Sequence, residues 1–157
     1  EADSTFGEPY ATAGMKGLAA ARAIGLLTYR GPEGYDLSQR DENDDFSSHR
    51  ACTYQQYQGE KLCRRYNAYS YYKILNAFDT HDVGYQRGAG QRTTAECLVV
   101  GISTDLIFTV PEMQALHRML PRSTYHQIDS PFGHDGFLVE HEQLNRILNP
   151  FIHSTHE

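Results

Sequence analysis

The chain has no tryptophan and no long apolar run, and the second absence excludes one class of protein. Its longest apolar run, around Cys97–Ile102, has the length of a β-strand. A transmembrane helix needs roughly 18 to 20 apolar residues in a row. We therefore expect neither a membrane-spanning segment nor a membrane partner.

The chain also has few basic residues relative to acidic ones, and its few cysteines are not closely spaced. The formal net charge is -6, and the longest basic cluster is Arg64-Arg65, which is too small to bind the phosphates of a nucleic acid. The three cysteines, Cys52, Cys63 and Cys97, are odd in number and widely spaced, unlike a disulfide framework or a zinc site. We expect reduced thiols in a cytoplasmic protein that does not bind nucleic acid.

Metal-binding patterns are missing from the histidines and the acidic residues. No histidine belongs to an HExxH motif or has a close CxxC companion, as zinc sites require. The carboxylates between residues 31 and 48 lack the glycine and the final glutamate at the spacing of a calcium loop. The sequence therefore predicts no metal site.

The first part of the chain, residues 1–93, has a mostly helical pattern. We predict a helix from Thr12, as its N-cap, to about Tyr29. Two or three more helices are predicted between residues 48 and 77, with breaks near Gln58-Gly59 and Tyr66-Asn67. Residues 31–48 are predicted to form a solvated acidic loop, and residues 79–93 a further loop.

The second part, residues 94–157, alternates strands and helices. Glu96–Ser103 is a nearly continuous apolar run, typical of a strand buried on both faces of a parallel sheet. A helix from Pro111 to about Leu120, a strand over Thr124–Asp129 and a helix over Phe137–Leu148 follow it. This order predicts an α/β fold with parallel strands. Since two such strands cannot form a stable sheet alone, we expect part of a larger α/β domain, preceded by a helical insert.

A carboxylate and a histidine follow the two predicted strands. Asp105 comes after the first strand in VVGISTD, and His134 after the second in DSPFGHDGF. Catalytic groups gather beyond the carboxyl ends of parallel strands, and the acid-then-histidine order is that of the Ser…Asp…His triad of α/β-hydrolases. In such a triad the carboxylate fixes the imidazole tautomer. The alternative is a loop aspartate that caps the helix at Pro111 and a surface histidine.

Four segments of the chain resemble the homoserine O-acetyltransferase family of the α/β-hydrolase superfamily. They are GLAAARAIGLLTYR (17–30), YQGEKLCRRYNAYSYYKILNAFDTHDVG (57–84), LVVGISTDLIF (98–108) and IDSPFGHDGFLVE (128–140). The resemblance implies the C-terminal portion of an α/β-hydrolase fold with a helical lid insert. Residues 1–93 would form a pocket helix, the acidic loop and the lid, and residues 94–157 the last two strand–helix units.

The resemblance also implies an activity and a set of site residues. Acetyl would pass from acetyl-CoA, the co-substrate, to a serine and then to the hydroxyl of L-homoserine in methionine biosynthesis, without a bound cofactor. Asp105 and His134 match the acid and the base of the family's triad. Arg22, Tyr29 and Asp135 match its homoserine contacts, the first two for the carboxylate and the third for the ammonium group. A homodimer formed through the lid is implied as well.

The nucleophile is where the chain departs from the family pattern. None of its serines has the flanking glycines of a nucleophile elbow. We therefore expect the nucleophile on a missing N-terminal segment of the same protein, and this fragment alone to be inactive. Two alternatives stay open: a sister acyltransferase that uses L-serine or succinyl-CoA, and a non-catalytic dimerising fragment.

Overall fold

The computed structural model describes residues 3–41, 49–82 and 90–154 of the chain. The chain divides into two compact units. The first comprises residues 1–27 and 36–81, and the second comprises residues 28–35 and 82–157. The short stretch 28–35 therefore leaves the helical first unit and joins the unit that contains the strands.

In the described part of the chain, four α-helices precede the strands. They are α1 (Met15–Tyr29), α2 (Pro32–Gln39), α3 (Arg50–Cys63) and α4 (Ala68–Asp79). The helices predicted up to residue 29 and between residues 48 and 77 are thus confirmed. Of the loop predicted over residues 79–93, residues 83–89 lie outside the described part of the chain.

The start of α1 is capped by side chains from further upstream than predicted. Asp3 Oδ2 accepts a hydrogen bond from Gly17 N–H (3.0 Å), and Thr5 Oγ1 accepts one from Gly14 N–H (2.9 Å). The Thr5 hydroxyl in turn donates to Asp3 Oδ1 (2.7 Å). The prediction that Thr12 is the N-cap is wrong, because these more distant side chains satisfy the free N–H groups of the first turn.

The helix α2 lies where the sequence predicts an acidic loop, so that prediction is wrong over residues 32–39. Pro32 begins the helix, where a missing N–H costs nothing, and Glu33 places a negative charge in the first turn. Both residues are favourable helix-start signals that the neighbouring glycines obscured. Residues 42–48 of the predicted loop are outside the described residues.

The helix α3 runs without interruption through Gly59, so the break predicted near Gln58-Gly59 is wrong. A Cβ atom added at Gly59 would lie 3.0 Å from the carbonyl oxygen of Ala19 and 3.1 Å from its Cβ. Gly59 therefore serves close packing against α1 rather than a turn. The break predicted near Tyr66-Asn67 is confirmed, because α4 begins just after it with Asn67 as its N-cap.

The second unit contains the sheet. Strands β1 (Cys97–Ile102) and β2 (Ser123–Ile128) pair in parallel, with Cys97 opposite Ser123 and Ile102 opposite Ile128. The helix α5 (Val110–Met119) connects them, and α6 (His141–Ser154) follows. The predicted order of strand, helix, strand and helix is confirmed, as is the parallel pairing. Short 3-10 helices lie at Gly90–Arg92 and Gly133–Leu138.

The last helix begins later than predicted. The sequence predicts a helix from Phe137, but residues 133–138 form a 3-10 helix and α6 starts at His141. The start of the 3-10 helix is held by hydrogen bonds from Gly133 to Thr104 and between His134 and Asp105, in the loop after β1. In the described ranges, no helix has the length and apolarity needed to cross a bilayer.

Burial differs between the two strands. Val99 and Ile102 of β1 and Ile128 of β2 are 5, 6 and 1% exposed and form the core of the unit. Every residue of β1 is buried or half-buried, whereas Thr124 and His126 of β2 are exposed. The strand β1 is therefore the more interior of the pair, in agreement with its predicted character.

Candidate active site

Asp105 lies in the loop that leaves β1 and is fixed by three hydrogen bonds. Its side chain is only 4% exposed. One carboxylate oxygen, Oδ1, accepts hydrogen bonds from the backbone N–H groups of Ile107 (2.8 Å) and Phe108 (3.0 Å). The other oxygen, Oδ2, lies 2.9 Å from Nδ1 of His134. These bonds satisfy a carboxylate whose burial would otherwise be costly.

His134 lies in the 3-10 helix that follows β2. Because the parallel strands end side by side, with Ile102 opposite Ile128, the two loops that follow meet at one edge of the sheet. An ionised carboxylate only accepts hydrogen bonds, so the bond to Asp105 places the ring proton on Nδ1. Nε2 is then the unprotonated nitrogen, which can accept a proton from a neighbouring group. The His134 side chain is 26% exposed.

The loop before His134 is held by close backbone contacts with the residues that follow α1. Gly133 has φ +62°, in the left-handed region, and a Cβ atom there would lie 2.4 Å from Gly31 N and 2.8 Å from Arg30 C. Gly34 N–H donates a hydrogen bond to Pro131 O (3.0 Å). Both contacts require glycine, because a side chain would separate the two backbones.

Three aromatic rings surround His134. Their centroids lie 5.3 Å (Phe108), 5.6 Å (Phe137) and 6.0 Å (Tyr29) from the centroid of the imidazole. Tyr29 is among the site residues predicted from the sequence, whereas neither phenylalanine is. Their shared position, three residues after Asp105 and three after His134, is the signal that was available.

Asp135 has a partner that the sequence analysis also missed. Its Oδ2 lies 3.4 Å from Nε of Arg30, and the two side chains are 28 and 24% exposed. Arg30 follows Tyr29 directly, so the backbone contact at Gly133 places it beside this carboxylate. Arg22 belongs to the first unit, in α1, and is half-buried there. The structure thus brings together four of the five predicted site residues: Tyr29, Asp105, His134 and Asp135.

The arrangement supports proton transfer. A buried carboxylate oriented by its own loop holds an imidazole whose second nitrogen can act as a general base. Among residues 3–41, 49–82 and 90–154 there is no group of three or more histidine, cysteine, aspartate or glutamate side chains suited to a metal ion.

Comparison with protein-family models gives no match, but curated proteins are similar over most of the chain. The homoserine O-acetyltransferase of Cyclobacterium marinum is 41% identical over 155 residues, which is 96% of this chain and 44% of that protein. A homoserine O-acetyltransferase of Thermus thermophilus is 39% identical over 142 residues, or 87% of this chain and 36% of that protein. The chain thus spans less than half the length of these relatives.

Solved structures agree with this similarity. The homoserine O-acetyltransferase of Staphylococcus aureus superposes with a TM-score of 0.70 at 27% identity and covers 88% of this chain and 42% of that one. Esterase E22 gives a TM-score of 0.71 at 18% identity, over 87% of this chain and 42% of that one, which supports the fold alone. The chain is therefore a homologue of the homoserine O-acetyltransferases and is built on part of an α/β-hydrolase fold.

Proposed function

We propose that the complete encoded protein is a cytoplasmic acyltransferase that moves acetyl from acetyl-CoA to the hydroxyl of L-homoserine, in methionine biosynthesis. The observation that carries this proposal is the 2.9 Å contact between His134 Nδ1 and Asp105 Oδ2 at the ends of adjacent parallel strands. The names of the relatives supply the acetyl group and the homoserine acceptor, and the family resemblance of the sequence implies acetyl-CoA as the donor.

The proposed reaction has two half-reactions that share one base. A serine hydroxyl attacks the thioester carbonyl of acetyl-CoA while His134 Nε2 takes its proton, and the thiolate of CoA leaves with that proton. The homoserine hydroxyl then attacks the acetyl-serine, again giving its proton to Nε2, and the proton returns to the serine as O-acetylhomoserine leaves. Asp105 stabilises the imidazolium that forms in each half-reaction.

We place the attacking serine outside these 157 residues. The two serines closest in sequence to the pair are already used in the loop structure. Ser103 Oγ accepts a hydrogen bond from Ser130 N–H (3.3 Å), and the buried Ser130 Oγ accepts one from Phe132 N–H (3.2 Å). Neither serine has the flanking glycines of a nucleophile elbow, which supports a nucleophile elsewhere.

Homoserine needs one anionic and one cationic contact. We assign its ammonium group to Asp135, whose carboxylate lies one residue from His134 and is 28% exposed. We assign its carboxylate to Arg22, through a charge-assisted pair, with the Tyr29 phenol as a further donor. The ring of Tyr29 lies 6.0 Å from that of His134, which is close enough for a small amino acid to contact both.

We further assign residues 1–93 to a pocket helix and a lid, and residues 94–157 to the last two strand–helix units of the hydrolase domain. Within the first unit, α3 and α4 carry large apolar side chains that are exposed to solvent. These include Tyr57, Tyr69, Tyr72, Leu75 and Phe78. Such a surface supports the predicted homodimer through the lid.

The proposal is tested by assaying the complete encoded protein with two donors and two acceptors. Acetyl-CoA and succinyl-CoA are each combined with L-homoserine and L-serine, and product formation is followed by mass spectrometry. We expect the highest kcat/KM for acetyl-CoA with L-homoserine. A preference for L-serine or succinyl-CoA would overturn the assigned substrates. Absence of transfer in every combination would overturn the proposed acyltransferase activity.

A further inference from the structure

We propose that Thr104 is the positioning residue that sets the orientation of His134 toward Asp105. This inference rests on the proposed function, since it concerns the base of that reaction. Thr104 immediately precedes Asp105, in the loop that leaves β1, and its side chain is directed at the loop that carries His134 rather than at solvent.

The hydroxyl of Thr104 makes two hydrogen bonds of opposite sense. Its Oγ1 donates to the carbonyl oxygen of Ser130 (2.6 Å) and accepts from Gly133 N–H (3.0 Å). The proton of this half-buried hydroxyl and one of its two lone pairs are thus both used. The two partners lie at either end of a four-residue segment, so a single side chain ties both ends of that segment to the loop after β1.

The position of this link explains its effect on His134. Thr104 directly precedes Asp105 on one loop, and Gly133 directly precedes His134 on the other. The hydrogen bond between residues 104 and 133 therefore lies next to the one between residues 105 and 134. Gly133 N–H belongs to the residue whose left-handed φ of +62° turns the chain toward His134. Fixing this N–H fixes the peptide plane between Phe132 and Gly133, the one before the peptide plane that leads to the Cα of His134.

Asp105 does not depend on this hydroxyl. Its carboxylate is oriented by the N–H groups of Ile107 and Phe108, within its own loop. Loss of the Thr104 hydroxyl should therefore leave the acid in place and release the histidine. The hydrogen bond from Gly34 N–H to Pro131 O (3.0 Å) remains, so the segment should stay folded while Gly133 and His134 become less fixed.

The test compares variants of the complete encoded protein. Thr104→Val replaces the hydroxyl with a methyl group of similar size, and Thr104→Ser keeps the hydroxyl. Thr109→Val is the matched control, since that hydroxyl bonds Glu112 at the start of α5 and not the loop of His134. We expect Thr104→Val to lower kcat by roughly 10²-fold, as for a displaced catalytic group, with both KM values changed little.

The remaining outcomes decide the assignment. Thr104→Ser should restore most of kcat, and Thr109→Val should retain it. The far-downfield proton resonance of the His134–Asp105 hydrogen bond should be present in the wild type, Thr104→Ser and Thr109→Val, and broadened or lost in Thr104→Val. If Thr104→Val does not fold, Thr104→Ala takes its place.

Unchanged kcat and resonance in Thr104→Val, or equal impairment in Thr104→Ser, would overturn the inference. An effect of Thr104→Val confined to a raised KM, with the resonance intact, would overturn it too. If the wild type transfers no acetyl group, the proposed function fails instead. The resonance in the same variants still decides whether Thr104 positions His134.

Discussion

Two aspartates at the site differ in the exposure of their carboxylates and in the partners that hold them. Asp105 is 4% exposed and has three hydrogen-bond partners, so its carboxylate is held in one orientation. Asp135 is 28% exposed, and its contact with Arg30 is long, at 3.4 Å to one oxygen. The first arrangement suits a group that orients a base, and the second suits a group that receives a ligand.

Replacing Asp135 with Asn should therefore weaken homoserine binding selectively. Asn keeps the shape but loses the charge, and a hydrogen bond to a charged group contributes about 1.5–3 kcal/mol. We expect the KM for L-homoserine to rise roughly 10- to 100-fold in the complete protein. The KM for acetyl-CoA should stay within a factor of about three of the wild type, since the donor has no ammonium group at this position.

The matched control is Asp129→Asn. Asp129 is exposed, and its hydrogen bonds with Gln143 are made by its backbone, so its side-chain charge is not expected to matter. Steady-state kinetics with each substrate varied in turn separates the two effects. An equal rise in both KM values for Asp135→Asn would remove Asp135 from the ammonium site.

Site residues can be predicted from the sequence when their place relative to a strand is enough to locate them. Residues that reach the site only because two loops meet in space are missed. Asp105 and His134 were found because polar side chains after parallel strands share one sheet edge. Arg30 and Thr104 act through loops that approach each other in space. That approach depends on Gly31 and Gly133, whose contacts with each other are absent from any local pattern.

The same distinction holds for the helices and strands. The first strand and α5 were predicted closely, because an apolar run and a proline at the helix start are local signals. The second strand, which is not an apolar run, was predicted within one residue at each end. The continuity of α3 through Gly59 was not predicted, because that glycine is required by close packing against α1. A glycine marks a turn or a close contact, and the sequence alone does not distinguish them.

The N-terminus of α1 offers a test at the scale of one element. The hydroxyl of Thr5, and then the N–H of Gly17, lower the pKa of Asp3 from 3.8 to about 2. A lowered pKa means that the ionised form stabilises the folded state, fully above pH 4 and progressively less as the pH falls toward 2. Removing this carboxylate should therefore destabilise the folded state less at acidic pH than at neutral pH.

We expect Asp3→Ala to lower the melting temperature at about pH 6, and the difference from the wild type to shrink as the pH is lowered from about 4 to 3. Circular dichroism of the complete protein at each pH measures this difference. Glu8→Ala, at an exposed residue of the same segment, should show no such trend. A difference for Asp3→Ala that is constant over this range would show that the carboxylate does not cap α1.

In the described part of the chain, many large apolar side chains are exposed to water. In the described residues, the buried core of the second unit is Val99, Ile102 and Ile128, while large side chains around the site are half exposed. These are Leu106, Phe108, Phe137, Leu138 and Val139. The sequence predicts further structure beside the two strands, since a parallel pair of strands requires neighbours. It did not predict which faces would be left open.

In the proposed reaction, His134 is the general base of acetyl transfer. The most direct measurement is the rate of O-acetylhomoserine formation from acetyl-CoA and L-homoserine by the complete protein carrying His134→Ala. The exposed strand residue His126 provides the control variant His126→Ala. With melting temperatures close to the wild type, we predict that kcat falls by about 10⁶ in His134→Ala and is retained in His126→Ala. Turnover of His134→Ala near the wild-type rate would contradict the account.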